Sequence, residues 1–180
     1  MTALRFNVAQ LLKQSTGARR DYEIAAATPY IEGGPELVAP LLGRVQLVRA
    51  GSGIVVTGEL ETIARLECGR CLAEFDQPLA IEIEEEFLPV VDIATGASMS
   101  LDDGQDTANL IDMHHILDLT EVVRQDLWIS LPASLLCAED CRGLCPICGQ
   151  NLNEGSCSCS PEEIDARWSV LLENLSGAAD

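Results

Sequence analysis

Eight cysteines are the residues of this chain whose type and spacing could do chemistry. Two of their pairs have the Cys-x-x-Cys spacing, which lets one tight turn supply two thiolates to a metal ion. Zinc prefers four such ligands in a tetrahedron, so the set predicts zinc binding with a structural role. The eight predicted ligands are Cys68, Cys71, Cys137, Cys141, Cys145, Cys148, Cys157 and Cys159.

Eight thiolates suit two zinc ions, each in a closed four-cysteine site. The spacing favours one set within the fifteen residues 145–159 and a second set that joins Cys68 and Cys71 to Cys137 and Cys141. A rival partition joins the two Cys-x-x-Cys pairs as a ribbon. The Cys-x-Cys pair at 157–159 is less usual as a chelate, so one zinc with four spare thiols also stays open. In Cys145-Pro146-Ile147-Cys148-Gly149, the glycine permits the positive φ that turns backbone N–H groups towards sulfur.

Other chemistries find little support in the sequence. A thiol redox protein or a zinc-linked redox sensor is the main alternative for the cysteines, although the βαβ setting of a thioredoxin-like motif is absent. An iron–sulfur cluster and unligated thiols also stay open. The chain has no phosphate-binding GxxxxGK[ST] loop, no GxGxxG after a strand and no GxSxG elbow. We therefore expect no enzymatic activity and no small-molecule substrate.

The net charge of −18 constrains the partners of this chain. It holds 29 acidic and 11 basic residues, and residues 1–50 are the only third that is not acidic. Such a surface repels phosphate backbones and attracts basic proteins. No apolar run reaches the roughly 18 residues of a membrane helix, and the start lacks the features of a secretory signal. These features predict a cytoplasmic protein that has no membrane partner.

The pattern of apolar residues predicts an α+β fold with a central antiparallel sheet that could curl towards a barrel. A hairpin is predicted from 44–47 through the turn at Gly51 to a strand ending near Cys68, followed by a strand that contains Ile81, Ile83 and Phe87. Residues 21–43 are predicted to be connecting chain with one strand at most, and residues 91–112 a mobile acidic loop.

Helices are predicted at two later positions. The first begins at Asp118-x-x-Glu121, which resembles a capping arrangement, and ends before Pro132. The second follows Ser160-Pro161 and has an apolar stripe through Leu175. The predicted organisation is a core domain at 1–136, and a Cys-rich zinc knuckle with a C-terminal helix at 137–180.

Several motifs together resemble one known family over nearly the whole chain. They are Glu67-Cys68-Gly69-Arg70-Cys71-Leu72 between two strands, an acidic loop, a Leu-rich helix ending at Leu131-Pro132, and a final Cys-rich run. That run reads Cys141-Arg142-Gly143-Leu144-Cys145-Pro146-Ile147-Cys148-Gly149-Gln150-Asn151-Leu152-Asn153, then Cys157-Ser158-Cys159. The chain resembles the YceD family of large ribosomal RNA subunit accumulation proteins, long catalogued as a domain of unknown function.

The resemblance implies a non-enzymatic factor in biogenesis of the large ribosomal subunit that supports 23S rRNA accumulation or processing. It would act by binding a large-subunit ribosomal protein or a pre-ribosomal rRNA–protein particle. Direct contact with rRNA is a competing hypothesis, because Arg70 and Arg142 lie at the knuckles. The net charge opposes RNA contact and favours a basic protein.

Overall fold

The computed structural model describes residues 4–28, 30–99 and 107–159 of the 180-residue chain. The described residues form two compact units. The first comprises residues up to Gly69 together with Ala73–Cys137, and the second comprises Arg70–Leu72 together with residues from Ala138 onwards. In chain order the elements are β1 (Arg5–Asn7), α1 (Ala9–Leu12), β2 (Arg19–Ala26), β3 (Glu36–Leu37), β4 (Leu41–Ala50), β5 (Gly53–Glu67), β6 (Glu74–Pro89), a 3₁₀ turn (Thr107–Asn109), β7 (Leu110–Ile111), β8 (Ile116–Asp118) and α2 (Thr120–Ile129).

The first unit is built on one large sheet with the strand order β2-β4-β5-β6-β7, and β3 pairs with the far end of β5. Its long pairs are antiparallel, and only the two-residue β7 runs parallel to β6. This confirms a mostly antiparallel sheet with few helices. Among the described strands the sheet stays open, with β2 and β7 at its ends, so the barrel that the sequence left possible is not closed.

The predicted hairpin is the centre of this sheet. β4 and β5 turn back at Gly51 and Ser52, and Ala50 is opposite Gly53. On β5, Leu60 and Ala64 are buried while Glu59 and Glu61 are exposed. Burial alternates in this way because successive side chains in a strand point to opposite faces. The sheet therefore has an inner face on the core and an outer face in solvent.

Residues 21–43 hold more regular structure than the sequence predicted. They contain most of the eight-residue β2, all of β3 and the first three residues of β4, so the stretch holds more than the one strand that the sequence allowed. β2 pairs with β4 along its whole length. Its inner-face residues Ile24 and Ala26 are buried, and Tyr22 packs on Phe6 with the ring centroids 4.7 Å apart. Among the described residues of this stretch, Gly33, Gly34, Pro35 and Pro40 lie outside the strands, whereas Gly43 is part of β4.

The helix α2 matches the first of the two predicted helices, but its predicted cap is not formed. α2 buries Val122, Val123 and Leu127 and ends before Pro132. Asp118 is the last residue of β8, and its carboxylate accepts a bond from the Thr120 backbone N–H at 2.9 Å. Glu121 does not complete a capping box. Its carboxylate instead accepts hydrogen bonds from the Arg124 guanidinium.

The region 91–112 was predicted to be a mobile loop, and its described parts differ from that. Val91 bridges to Ser98, and Ile111 is fully buried in β7. The predicted helix after Ser160 lies outside the described residues. Within the part of the chain that is described, none of the helices has the length and apolar character needed to span a membrane.

Candidate metal centres

The sulfur atoms of the eight cysteines fall into two groups of four, and within each group they all lie within 4.8 Å of one another. One group is Cys68, Cys71, Cys137 and Cys141, and the other is Cys145, Cys148, Cys157 and Cys159. This is the first of the two partitions that the sequence allows, and the ribbon-like pairing is not formed. In a tetrahedral zinc site with Zn–S bonds of about 2.3 Å, the sulfurs are about 3.8 Å apart. The two donor sets fit such an ion.

Two cysteines of the second group, Cys145 and Cys148, lie on a small hairpin in the second unit. Leu144 and Asn151 form a bridge, and the Cys145 backbone N–H donates to the Gln150 carbonyl at 2.8 Å. The tip contains Cys148, and Gly149 adopts a φ of +73°, as the sequence predicted. The Gly149 N–H donates to the Cys145 carbonyl at 2.9 Å. These bonds hold the Cys-x-x-Cys turn in the shape of a metal knuckle.

The electrostatics of this group favour thiolate at one sulfur and oppose it at another. The backbone N–H groups of Cys148 and Ile147, together with the Cys157 thiol, lower the pKa of Cys145 to about 6. Hydrogen bonding to Cys148, with desolvation and the other sulfurs, raises the pKa of Cys159 to about 12. Four thiols this close cannot all ionise without a compensating cation. The arrangement is therefore suited to a divalent metal ion, which stabilises thiolates.

The first group is positioned by the end of the β5–β6 pair. Cys68 follows β5 directly, and its backbone N–H donates to the Ala73 carbonyl at 2.9 Å, just before β6 begins. The Gly69 N–H donates to the Leu135 carbonyl at 2.8 Å, two residues before Cys137. The predicted position of this knuckle between two strands is confirmed.

Within the second unit, two polar side chains support Cys141. The Arg70 guanidinium donates to the Cys141 carbonyl at 2.9 Å, and the Arg70 carbonyl accepts a bond from the Leu144 N–H. The Asn153 amide donates to the Cys141 sulfur at 3.3 Å, while its oxygen accepts from the Arg142 N–H at 2.8 Å. Contacts of this kind orient metal ligands and tune their charge.

Sequence reasoning offered Arg70 and Arg142 as RNA contacts only under a competing hypothesis, and it gave Asn153 no role. The structure instead places the Arg70 guanidinium on Cys141, where it holds the cysteine backbone. The Asn151-Leu152-Asn153 run carried the only available signal, since asparagines in such spacing form side-chain turns with the backbone. Asn151 does accept a bond from the Asn153 N–H at 3.0 Å. Nothing in the sequence pointed to the sulfur contact.

The fold and site define a class: an α+β protein with an open antiparallel sheet and two four-cysteine groups suited to metal. The family model described as large ribosomal RNA subunit accumulation protein YceD matches residues 56–175. The chain belongs to the YceD family.

Curated relatives include an uncharacterized protein of Mycobacterium tuberculosis, 31% identical over 71% of this chain and 58% of that protein. Two chloroplastic proteins are named large ribosomal RNA subunit accumulation protein YCED homolog 1. The Arabidopsis thaliana protein is 24% identical over 73% of this chain and 47% of its own length, and the Zea mays protein is 27% identical over 73% and 52%. The matches thus span about half the length of these relatives. No solved structure matches the chain significantly.

Proposed function

We propose that this protein is a non-enzymatic factor in biogenesis of the large ribosomal subunit, acting where ribosomes are assembled in the cytoplasm. It supports 23S rRNA accumulation by binding a basic large-subunit ribosomal protein or an rRNA–protein precursor. The observation that carries the proposal is the family match over residues 56–175, with two plant relatives named for rRNA accumulation.

Each four-cysteine group holds one structural zinc ion in this proposal. Four thiolates fill the coordination of a tetrahedral ion and leave no position for water or substrate, so the metal does no chemistry on a ligand. The cysteines anchor the metal, while Arg70 and Asn153 orient Cys141. Binding of this kind contributes on the order of 10 kcal/mol to local folding.

The proposal favours a protein contact over an RNA contact. Beyond residue 50 the chain has five basic and 25 acidic residues, which opposes a phosphate backbone. The same charge speeds encounter with a basic protein. The guanidinium of Arg70, which was a candidate RNA contact, is engaged by the Cys141 carbonyl.

The test is sedimentation of the tagged protein through a gradient of cell lysate, with mass spectrometry and RNA sequencing of each fraction. Co-migration with precursors of the large subunit is expected, or recovery at the top of the gradient with a free ribosomal protein. A protein that sediments alone would contradict the proposal and favour the thiol redox alternative. Native mass spectrometry of the purified chain is expected to show two zinc ions.

A further inference from the structure

The outer face of the large sheet is a broad exposed surface that spans four strands. In the register of the sheet, one row of side chains runs Glu23, Arg44, Glu59, Glu82, and each is directly opposite the next. The neighbouring row runs Asp21, Gln46, Thr57, Glu84. Because residues in one row share a face, both rows point away from the core.

These two rows line a depression of about 920 Å³. Five carboxylates surround it, and its one cation, Arg44, already contacts Glu23 at 3.5 Å. Glu59 and Glu82 are directly opposite each other, and like charges in such pairs destabilise a sheet. The depression therefore has an excess of negative charge that a bound cation would relieve.

An apolar groove of about 460 Å³ adjoins the depression along the same strands. On the outer face, Glu59 and Glu82 are followed by Glu61 opposite Ala80, then by Ile63 opposite Pro78. Leu42 of β4 lies opposite Glu61 of β5 and is 50% exposed. A groove with this lining suits one aliphatic side chain of a partner, next to the acidic depression.

We infer that this outer face docks an extended, lysine- and arginine-rich polypeptide segment. The basic side chains meet the carboxylates of the depression, and an apolar side chain of the segment enters the groove at Leu42. Alternate residues of an extended chain are about 6.7 Å apart, which matches the spacing of successive rows along a strand. The inference deepens the proposed function and rests on its partner being a basic protein.

The charge of the face argues against the other occupants. An RNA strand would bring phosphates against Glu59, Glu82 and Glu84, which are all exposed carboxylates. A second copy of this chain would bring a further net charge of −18. Of these three occupants, a basic segment is the one that replaces the repulsion among the carboxylates with attraction.

The test uses the zinc-loaded full chain and a fluorescein-labelled synthetic peptide of about twelve residues, in which arginine and lysine alternate with serine and one position is leucine. The face variant is E59Q/E82Q/E84Q. The control variant E32Q/E139Q/E154Q makes the same change in net charge at exposed glutamates that do not line the depression or the groove. The face variant should fold normally, because it removes a repulsive pair.

We expect the face variant to weaken peptide binding roughly tenfold and the control variant less than about twofold. Leu42→Ser should weaken binding of the leucine-containing peptide. It should not weaken binding of a peptide in which that leucine is replaced by serine. Equal losses in the face and control variants would overturn the inference, since the peptide would then sense only total charge. Stronger competition by an RNA oligonucleotide than by an unlabelled peptide would also overturn it.

The gradient experiment separates this inference from the proposed function. If the wild-type protein recovers ribosomal proteins or precursor particles and the face variant recovers less, both stand. If the face variant recovers as much as wild type, the docking face is wrong and the function stands. If wild type recovers neither while the peptide result holds, the proposed function is wrong and the face binds a different basic protein.

Discussion

At the scale of single residues, Arg70 shows how a side chain outside the ligand set could control a metal centre. Its guanidinium donates to the Cys141 carbonyl, and its own carbonyl receives the Leu144 N–H. Arg142 is a natural control in the same run, because the bond that it makes to Asn153 comes from its backbone. The two arginines therefore differ in what removal of the side chain would disturb.

We expect Arg70→Ala to lower the zinc affinity of the chain by about tenfold, as loss of a supporting contact does in other metal sites. Arg142→Ala should leave it nearly unchanged. Competition with a chromophoric zinc chelator measures both affinities. Equal losses in the two variants would show that Arg70 acts through charge and not through the Cys141 carbonyl.

Asp126 on α2 is a second residue with a specific consequence. Its Oδ2 atom is buried and has no hydrogen-bond partner among the described residues. Desolvation, followed by the charge of Glu85, raises the pKa of this carboxyl group. The folded chain therefore holds the proton more tightly than the unfolded chain. The stability that this provides is full below the unfolded pKa of about 3.9, and it is lost as pH rises through the folded value.

Asp126→Asn should accordingly raise the urea midpoint at pH 7, and the gain should vanish below pH about 3.9. Asp92 is a control of opposite sign, because bonds from the backbone and hydroxyl of Thr95, and then from the Ala94 backbone, lower its pKa. Asp92→Asn should lower the midpoint at pH 7. A gain from Asp126→Asn that persists at pH 3 would mean that packing, and not ionisation, is responsible.

At the scale of elements, the two Cys-x-x-Cys turns share a backbone shape but not a residue type. The residue after the second cysteine is in the left-handed region in both, with a φ of +58° for Leu72 and +73° for Gly149. A side chain in that region costs roughly 1–2 kcal/mol. Leu72 has this backbone strain although it is 56% exposed. Backbone strain of this kind often occurs at functional sites.

Leu72→Gly should therefore stabilise the fold by up to about 1 kcal/mol, and Gly149→Ala should destabilise it by about the same amount. Chemical unfolding of the zinc-loaded protein measures both changes. If Leu72→Gly also reduces recovery of the ribosomal partner, the exposed leucine is a contact. A loss of stability in Leu72→Gly would show that its side chain packs in solution.

The sequence could predict those elements whose pattern is local. Alternation in β5 and β6 and the glycine turn at residue 51 identified the central hairpin, because period-2 burial needs no knowledge of neighbours. One strand was allowed within residues 21–43, but its position at β2 was not identified, because the prolines and glycines after it dominate that stretch although Tyr22, Ile24 and Ala26 alternate. β7 has only two residues and is defined by its pairing with β6. Such elements exist through tertiary contacts and leave no periodic signal.

The candidate site likewise has a part that the sequence could predict and a part that it could not. The cysteine spacing favoured the two groups that are observed, although it left a ribbon-like pairing and a single zinc site open. The short loops of residues 145–159 limit which sulfurs of the second group can meet, whereas the long gap between Cys71 and Cys137 sets no such limit. Arg70 and Asn153 act on Cys141 across 71 and 12 residues of chain. Contacts between residues so far apart in sequence depend on the course of the backbone in the folded chain, and composition and spacing do not reveal that course. The left-handed backbone of Gly149 was predictable because glycine favours it, whereas that of Leu72 was not.

At the scale of the whole molecule, the two units differ in what could stabilise each of them. The first has a continuous core that includes Leu47, Leu60, Phe87 and Leu127, all almost fully buried. Its described residues include long strands paired over up to fourteen positions. In the described part of the second unit, the only buried hydrophobic residues are Cys71, Cys141 and Cys145. A unit with so little apolar burial depends on its metal for stability.

Removal of zinc by a strong chelator should therefore unfold the second unit and leave the first largely intact. We expect the β-sheet signal in circular dichroism to persist, while backbone amides at residues 143–152 lose their protection from hydrogen exchange. Added zinc should restore that protection, and added magnesium should not, because thiolates bind soft ions. Loss of the sheet signal together with the protection would mean that the metal stabilises the first unit as well. The variants C68S and C148S separate these possibilities, because each removes one ligand from a different four-cysteine group. If each metal ion stabilises only the chain next to its own ligands, the amides of the 143–152 hairpin should stay protected in C68S and should lose their protection in C148S.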